Sequence, residues 1–332
     1  MRAIADGYLK RDPPGIAGWV RVIESRLSTE KHPKLWSETL TRMPILFQGN
    51  HRQATELFDR VIKATPEVLH YPFALNAIAH VMRGLDPKEI GEEWLDKLLA
   101  DGLSFCRQAY GELLPLYNCC HQDLRSADRI AMHLAEDRQS DIDRGLAYAA
   151  THLWTSRRCR EMATRILSSL TSSGDDSVQR AVASLFRLTR DYFELDNHMR
   201  LIIDNVCSNA PVLLLAAEDL IETLEPLTAT EPALVSQVCR DIINFGRDQL
   251  NKSGTSWIFV ADKLTNIALT LHRQDAYREA GLQLFEQLIS LNVREARDAI
   301  ELLDRRPIVS TNYQQRPRWR RRSRRTRIAV RS

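Results

Sequence analysis

The residues that come nearest to chemistry are Cys106, Cys119, Cys120, His121 and His133. Thiolates and imidazoles are zinc ligands, and this stretch gathers several of them. Their spacing argues against a shared ion, because Cys119, Cys120 and His121 are consecutive. Neighbours on a helix point about 100° apart and cannot converge on one tetrahedral centre. They read as buried small side chains beside a polar helix end. Glu92, Glu93 and Asp96 suggest proton transfer, since paired carboxylates can act as acid and base. With Lys88 and Lys97 beside them they read as a solvated helix face. His70, His80, His152 and His198 stand singly and read as surface or core-edge histidines.

The motifs that hold nucleotides or activate nucleophiles are missing. Gly84 and Gly91, in GLDPKEIGEEW, lack the following Lys and hydroxyl of a phosphate-cradling loop. No G-x-G-x-x-G, G-x-S-x-G or H-E-x-x-H occurs. The expectation is a chain with no cofactor, no metal and no catalytic activity of its own.

Helical periodicity dominates what remains. Val178, Ala181, Val182, Leu185 and Phe186 fall at the i, i+3, i+4, i+7 spacing that places them on one helical face. Asp175, Asp176 and Ser177 precede them as cap candidates. The same grammar predicts helices at 15–28, 34–48, 51–64, 71–83, 87–101, 104–120, 123–136, 142–155, 157–171, 177–189, 192–207, 211–224, 231–250, 255–272, 275–290 and 293–305. Pro44 and Pro115 lie inside such patterns and should kink or divide them. The one β-like run, Trp257-Ile-Phe-Val, continues into helical spacing at Ala261. Short helices joined by short connections predict an all-α fold, an α-solenoid of stacked antiparallel helix pairs. Leu264, Ile267, Ala268, Leu271, Ala280 and Leu284 match a tetratricopeptide-like unit, as do Ala54, Phe58 and Pro66. The starts at Asp175 and Val293 look HEAT-like, and uneven helix spacing favours that class.

The cysteines, Cys106, Cys119, Cys120, Cys159, Cys207 and Cys239, form no C-x-x-C pair and sit inside helical patterns. They are expected to be buried free thiols, which suits a reducing compartment. No apolar leader opens the chain and no stretch approaches the roughly 20 apolar residues of a membrane span. A cytoplasmic location is expected.

Charge divides the chain unequally. The formal charge is +3, yet nine arginines and no acidic residue fall in 316–332, which leaves −6 over residues 1–315. A helical domain over 1–306 is therefore followed by a disordered arginine-rich tail over 307–332. Arg316, Arg318, Trp319, Arg320, Arg321, Arg322, Arg324, Arg325 and Arg327 could hold phosphate backbones or an anionic membrane without reading sequence. The alternative is a solubilising tail or read-through past a disrupted gene end.

Leu35-Trp with Met43-Pro-Ile-Leu-Phe, then Ala54-Thr-Glu-Leu-Phe, Asp175-Asp-Ser-Val-Gln-Arg-Ala-Val, Val238-Cys-Arg-Asp-Ile-Ile-Asn-Phe-Gly, and Leu284-Phe-Glu-Gln-Leu-Ile with Leu303-Asp-Arg follow one another along the chain. This order resembles the C-terminal helical-repeat region of bacterial STAND-class P-loop NTPases, a group that includes antiphage defence proteins. The similarity spans about residues 9–306. It implies a sensor that binds a protein, either a foreign one such as a phage protein or its own NTPase module. The P-loop module itself has no counterpart here, so the resemblance implies the sensor part alone, as a split gene product or a truncated remnant. The other reading is a nucleic-acid or anionic-membrane adaptor working through the tail.

Overall fold

Helix starts are fixed where a side chain accepts from the first free N–H groups. Asn50 accepts from Gln53 N, Asp175 from Ser177 N and Val178 N, Asp196 from Met199 N, and Asn209 from Val212 N. Pro33, Pro72 and Pro232 each open a helix, where the missing N–H costs nothing. The computed structural model describes residues 7, 16–48, 50–135, 138–251 and 257–304, and among them every regular element is helical. The tail, with Arg316 to Arg327, lies outside the described residues.

In chain order the α-helices are α1 (Ile16–Arg26), α2 (Pro33–Leu40), α3 (His51–Ala64), α4 (Pro72–Val81), α5 (Glu89–Asp101), α6 (Ser104–His121), α7 (Leu124–Ala135), α8 (Ser140–Leu153) and α9 (Arg160–Leu170). They continue as α10 (Asp176–Thr189), α11 (Asn197–Cys207), α12 (Ala210–Leu224), α13 (Pro232–Phe245), α14 (Arg247–Asn251), α15 (Ile258–His272), α16 (Arg278–Ser290) and α17 (Arg294–Asp304). Pro44 divides its segment as expected: α2 ends at Leu40 and a 3-10 turn covers Met43–Gln48. Pro115 does not divide α6, which runs through it with Pro115 buried. The segment expected as one helix over 231–250 is two, parted at Gly246.

Packing follows alternation along the chain. Helices α2, α4, α6, α8, α10, α12, α15 and α17 each lie against the next in that series, and α7, α9, α11, α13 and α16 do the same. Neighbours in sequence, such as α8 with α9 and α15 with α16, pack across the two series. One continuous apolar cluster runs from Trp19 to Ala299 between them. Nearer the start of the chain, Phe58 of α3 meets Trp94 of α5 at 5.4 Å between ring centroids, and the Trp94 indole donates to Asp59.

The tightest seam is α6 on α8. A Cβ at Gly145 would collide with the Gln108 carbonyl and lie 2.7 Å from Glu112 N, and one at Gly111 would collide with the Ile142 carbonyl. Only glycine allows these backbones to touch. Cys119 near the end of α6 is joined by a disulfide to Cys159 just before α9, with Cα atoms 5.7 Å apart. This corrects the expectation of free thiols for these two. Their 40-residue separation carries no spacing signal, and folding alone brings them together. Cys106 and Cys239 are buried thiols as expected, whereas Cys120 and Cys207 are only partly covered.

Helix N-termini are tied by a recurring device. Ser104 and Arg107 of α6 hold Asp141 at 2.7 and 3.0 Å. Ser140 and Arg144 of α8 hold Asp175, the N-cap of α10, with Arg144 at 2.7 Å. In the second series, Arg160 holds Asp196 and Arg200 holds Glu231, each at 2.6 Å. Arg144 holds the Asp175 carboxyl far below the usual carboxylate range, helped by Ser140 and the N–H groups of Val178 and Ser177, against partial burial. A carboxyl shifted down in the folded state adds stability above about pH 4 and loses it as pH falls towards its folded value. Asp175→Ala should therefore cost about 1–2 kcal/mol at neutral pH. Urea unfolding should show the gap to wild type narrowing at pH 3; an equal gap at both pH values would remove the charge from the account.

Candidate functional site

Where α6 and α8 touch backbone to backbone, α4 meets α6 over a much smaller contact and stands off along the rest of its length. The gap is a groove of about 620 Å³ across α4, α6 and α8. Leu75 and Ala79 line it from α4 and Leu113 and Leu116 from α6, with the exposed Phe105 and Tyr148 at its rim. Its lining is largely apolar, and both rim aromatics are exposed to solvent. Of the five exposed Phe and Tyr side chains among the described residues, four, namely Phe73, Phe105, Tyr148 and Phe259, belong to the α4, α6, α8 and α15 series. Exposed aromatics gathered on one series mark a surface that can bury apolar area against something else.

A few polar groups sit within the groove. Glu112 is pushed up by burial, although Gln108 donates to it at 3.0 Å and His152 lies near. The Tyr148 and His152 rings stack edge to face with centroids 4.4 Å apart. A carboxylate on an apolar wall favours an occupant that brings a positive charge or a donor beside its apolar surface.

At one end of the groove the structure assembles a cluster that its sequence spacing hides. His70 Nε2 and Asp101 Oδ2 are 2.7 Å apart, and Cys106 completes a group whose donor atoms all lie within 4.8 Å of one another. His70 also packs edge-on against Phe105. A thiol nucleophile is activated by an imidazole that takes its proton. Here the carboxylate contacts both imidazole and thiol, and burial together with Asp101 pushes the Cys106 thiol up to about 11. That order holds the thiol protonated rather than activating it.

The residues first singled out for chemistry go to separate partners. Cys119 pairs with Cys159, His121 Nε2 contacts the Met82 carbonyl at 2.8 Å, and His133 bonds the Tyr110 hydroxyl. Glu92, Glu93 and Asp96 form ion pairs with Arg125, Lys63 and Arg129 on neighbouring helices, rather than with Lys88 and Lys97. No helix among the described residues is long and apolar enough to cross a membrane. No protein-family model matches the chain, and none of the curated proteins or solved structures compared with it matches either.

Proposed function

We propose that the chain is a non-catalytic α-solenoid that binds a protein through the groove between α4, α6 and α8. The observation that carries this reading is the apolar groove with Phe105 and Tyr148 exposed at its rim. A face of this composition fits a partner helix or strap that sets aliphatic side chains along Leu75 and Leu116 and a donor beside Glu112. Links between alternate helices join residues 29 to 38 apart in sequence, which supports a repeating architecture. Helices α4, α6, α8, α10 and α12 begin at residues 72, 104, 140, 176 and 210. Those steps lie nearer the 34-residue tetratricopeptide period than the roughly 40–47 residues of HEAT units, and favour the former within this region.

The resemblance of residues 9–306 to STAND-class sensor regions supplies the role: a sensing or regulatory contact with an NTPase module or a foreign protein. A cytoplasmic location belongs to the same reading. The Cys119–Cys159 bond weighs against it, because reducing compartments keep such pairs as thiols.

The test is affinity for the partner recovered from the native host, with and without phage infection. Phe105→Ser with Tyr148→Ser should weaken that partner's binding by at least about thirtyfold, since truncating a buried aromatic anchor commonly costs about 2 kcal/mol or more. Unchanged affinity would remove the groove from the interface. Recovery of nucleic acid alone, lost when the chain is shortened at Pro307, would favour the adaptor reading through the tail instead.

A further inference from the structure

We propose that His70, Asp101 and Cys106 form a binding site for a divalent metal ion of the zinc class at the end of the groove. The three donors are of different kinds and come from three elements. His70 closes the 3-10 turn Pro66–His70, Asp101 is the last residue of α5, and Cys106 lies in the first turn of α6. Imidazole nitrogen, carboxylate oxygen and thiolate sulfur together select zinc or cobalt over magnesium or calcium, which prefer oxygen throughout.

The geometry is close to what such an ion needs. Bonds of about 2.0–2.3 Å to tetrahedral zinc hold ligand atoms some 3.3–3.8 Å apart. The donors here lie between 2.7 Å, for His70 with Asp101, and 4.8 Å at most. Side-chain rotations of about 1 Å bring all three into range, a shift smaller than one rotamer step. Cys106 is fully buried, while the His70 and Asp101 side chains are each about one-third exposed or less, so an ion enters from their side.

Electrostatics point the same way. Carboxylate and thiolate together balance the two charges of the ion. Asp101 stands at the C-terminus of α5, the negative end of the helix dipole, and the last turn of α5 contains no basic residue. Arg107 reaches the Gly102 carbonyl but spends its remaining contacts on Asp141, leaving the carboxylate of Asp101 to His70.

Three protein ligands leave one tetrahedral position for water or for a donor atom of another molecule. His70 and Phe105 also line the groove, so an ion held by His70 borders it. An occupant bringing a carboxylate, imidazole or thiolate there would be held by the metal as well as by the apolar walls. Metal binding itself does not depend on what the groove accepts.

Cobalt titration of the full chain tests the proposal, with the Cys119–Cys159 bond kept oxidised. The expected result is one cobalt per chain, a thiolate-to-cobalt charge-transfer band in the near ultraviolet, tetrahedral visible bands, and displacement by zinc. Cys106→Ser should abolish the thiolate band. Asp101→Asn and His70→Gln should each weaken binding by more than about tenfold, since even outer-shell changes at such sites cost that much. Cys120→Ser should leave both band and affinity unchanged. If Cys106→Ser fails to fold, the exposed-side variants still decide the matter. Absence of cobalt binding would overturn the site, as would a band that survives Cys106→Ser or vanishes with Cys120→Ser.

Discussion

Gly145→Ala is expected to destabilise the protein by about 1–2 kcal/mol net, reversing the usual benefit of alanine over glycine inside a helix. In an exposed helix the change would stabilise by about 0.5–1 kcal/mol. Here the new methyl meets the Gln108 carbonyl and Glu112 N, which belong to the α6 backbone and cannot swing aside. The helices must part, and the apolar contacts along their seam weaken with them. Gly174→Ala, in the loop between α9 and α10, controls for the added methyl alone, because a Cβ there meets nothing within 4 Å. Denaturant unfolding of both variants decides the point: equal stability of Gly145→Ala and wild type would show that the seam has slack. Gly111→Ala should cost a similar amount, and the double variant less than the total of the two, since both open one contact.

Loss of the Cys119–Cys159 cross-link should cost about 4 kcal/mol, from the entropy an unfolded loop of 40 residues regains. Cys159→Ser and reduced wild type should unfold alike, both well below oxidised wild type. Cys120→Ser should not move, because Cys120 lies outside the bond. If oxidised and reduced protein unfold at the same denaturant concentration, the bond contributes nothing. The two effects reinforce one place, since both glycines and the cross-link secure α6 to the segment that follows it.

Much of the helical framework was legible because its signals are local. Asp175 followed by the apolar face of Val178, Val182 and Leu185 marks the start of α10 within a residue or two. Pro44 marks a break for a reason contained in its own ring. Pro115 carries the same signal, but the packing of α6 against its neighbours holds the helix together across it. The division at Gly246 has no strong local signal, because Leu250 keeps helical register with Ile243 across it and no proline stands there. What failed to show in the sequence was everything made by helices meeting. His70, Asp101 and Cys106 are separated by 31 and 5 residues on three elements, and each alone looks like a surface or core residue. The groove was hidden for a related reason: Leu75 and Leu116 carry the same pattern as core leucines, and only the stand-off of α4 leaves them lining a space.

The four ties Arg107 to Asp141, Arg144 to Asp175, Arg160 to Asp196 and Arg200 to Glu231 each span 31 to 36 residues of chain. A segment emerging from the ribosome therefore finds its anchoring partner already made, and need not wait for the rest of the polypeptide. Growth can proceed by docking each new helix onto a finished neighbour, with Asp175 capping α10 as it seats against α8. Assembly can then follow the order of synthesis, so that the apolar helix face awaiting a partner is that of the most recent helix.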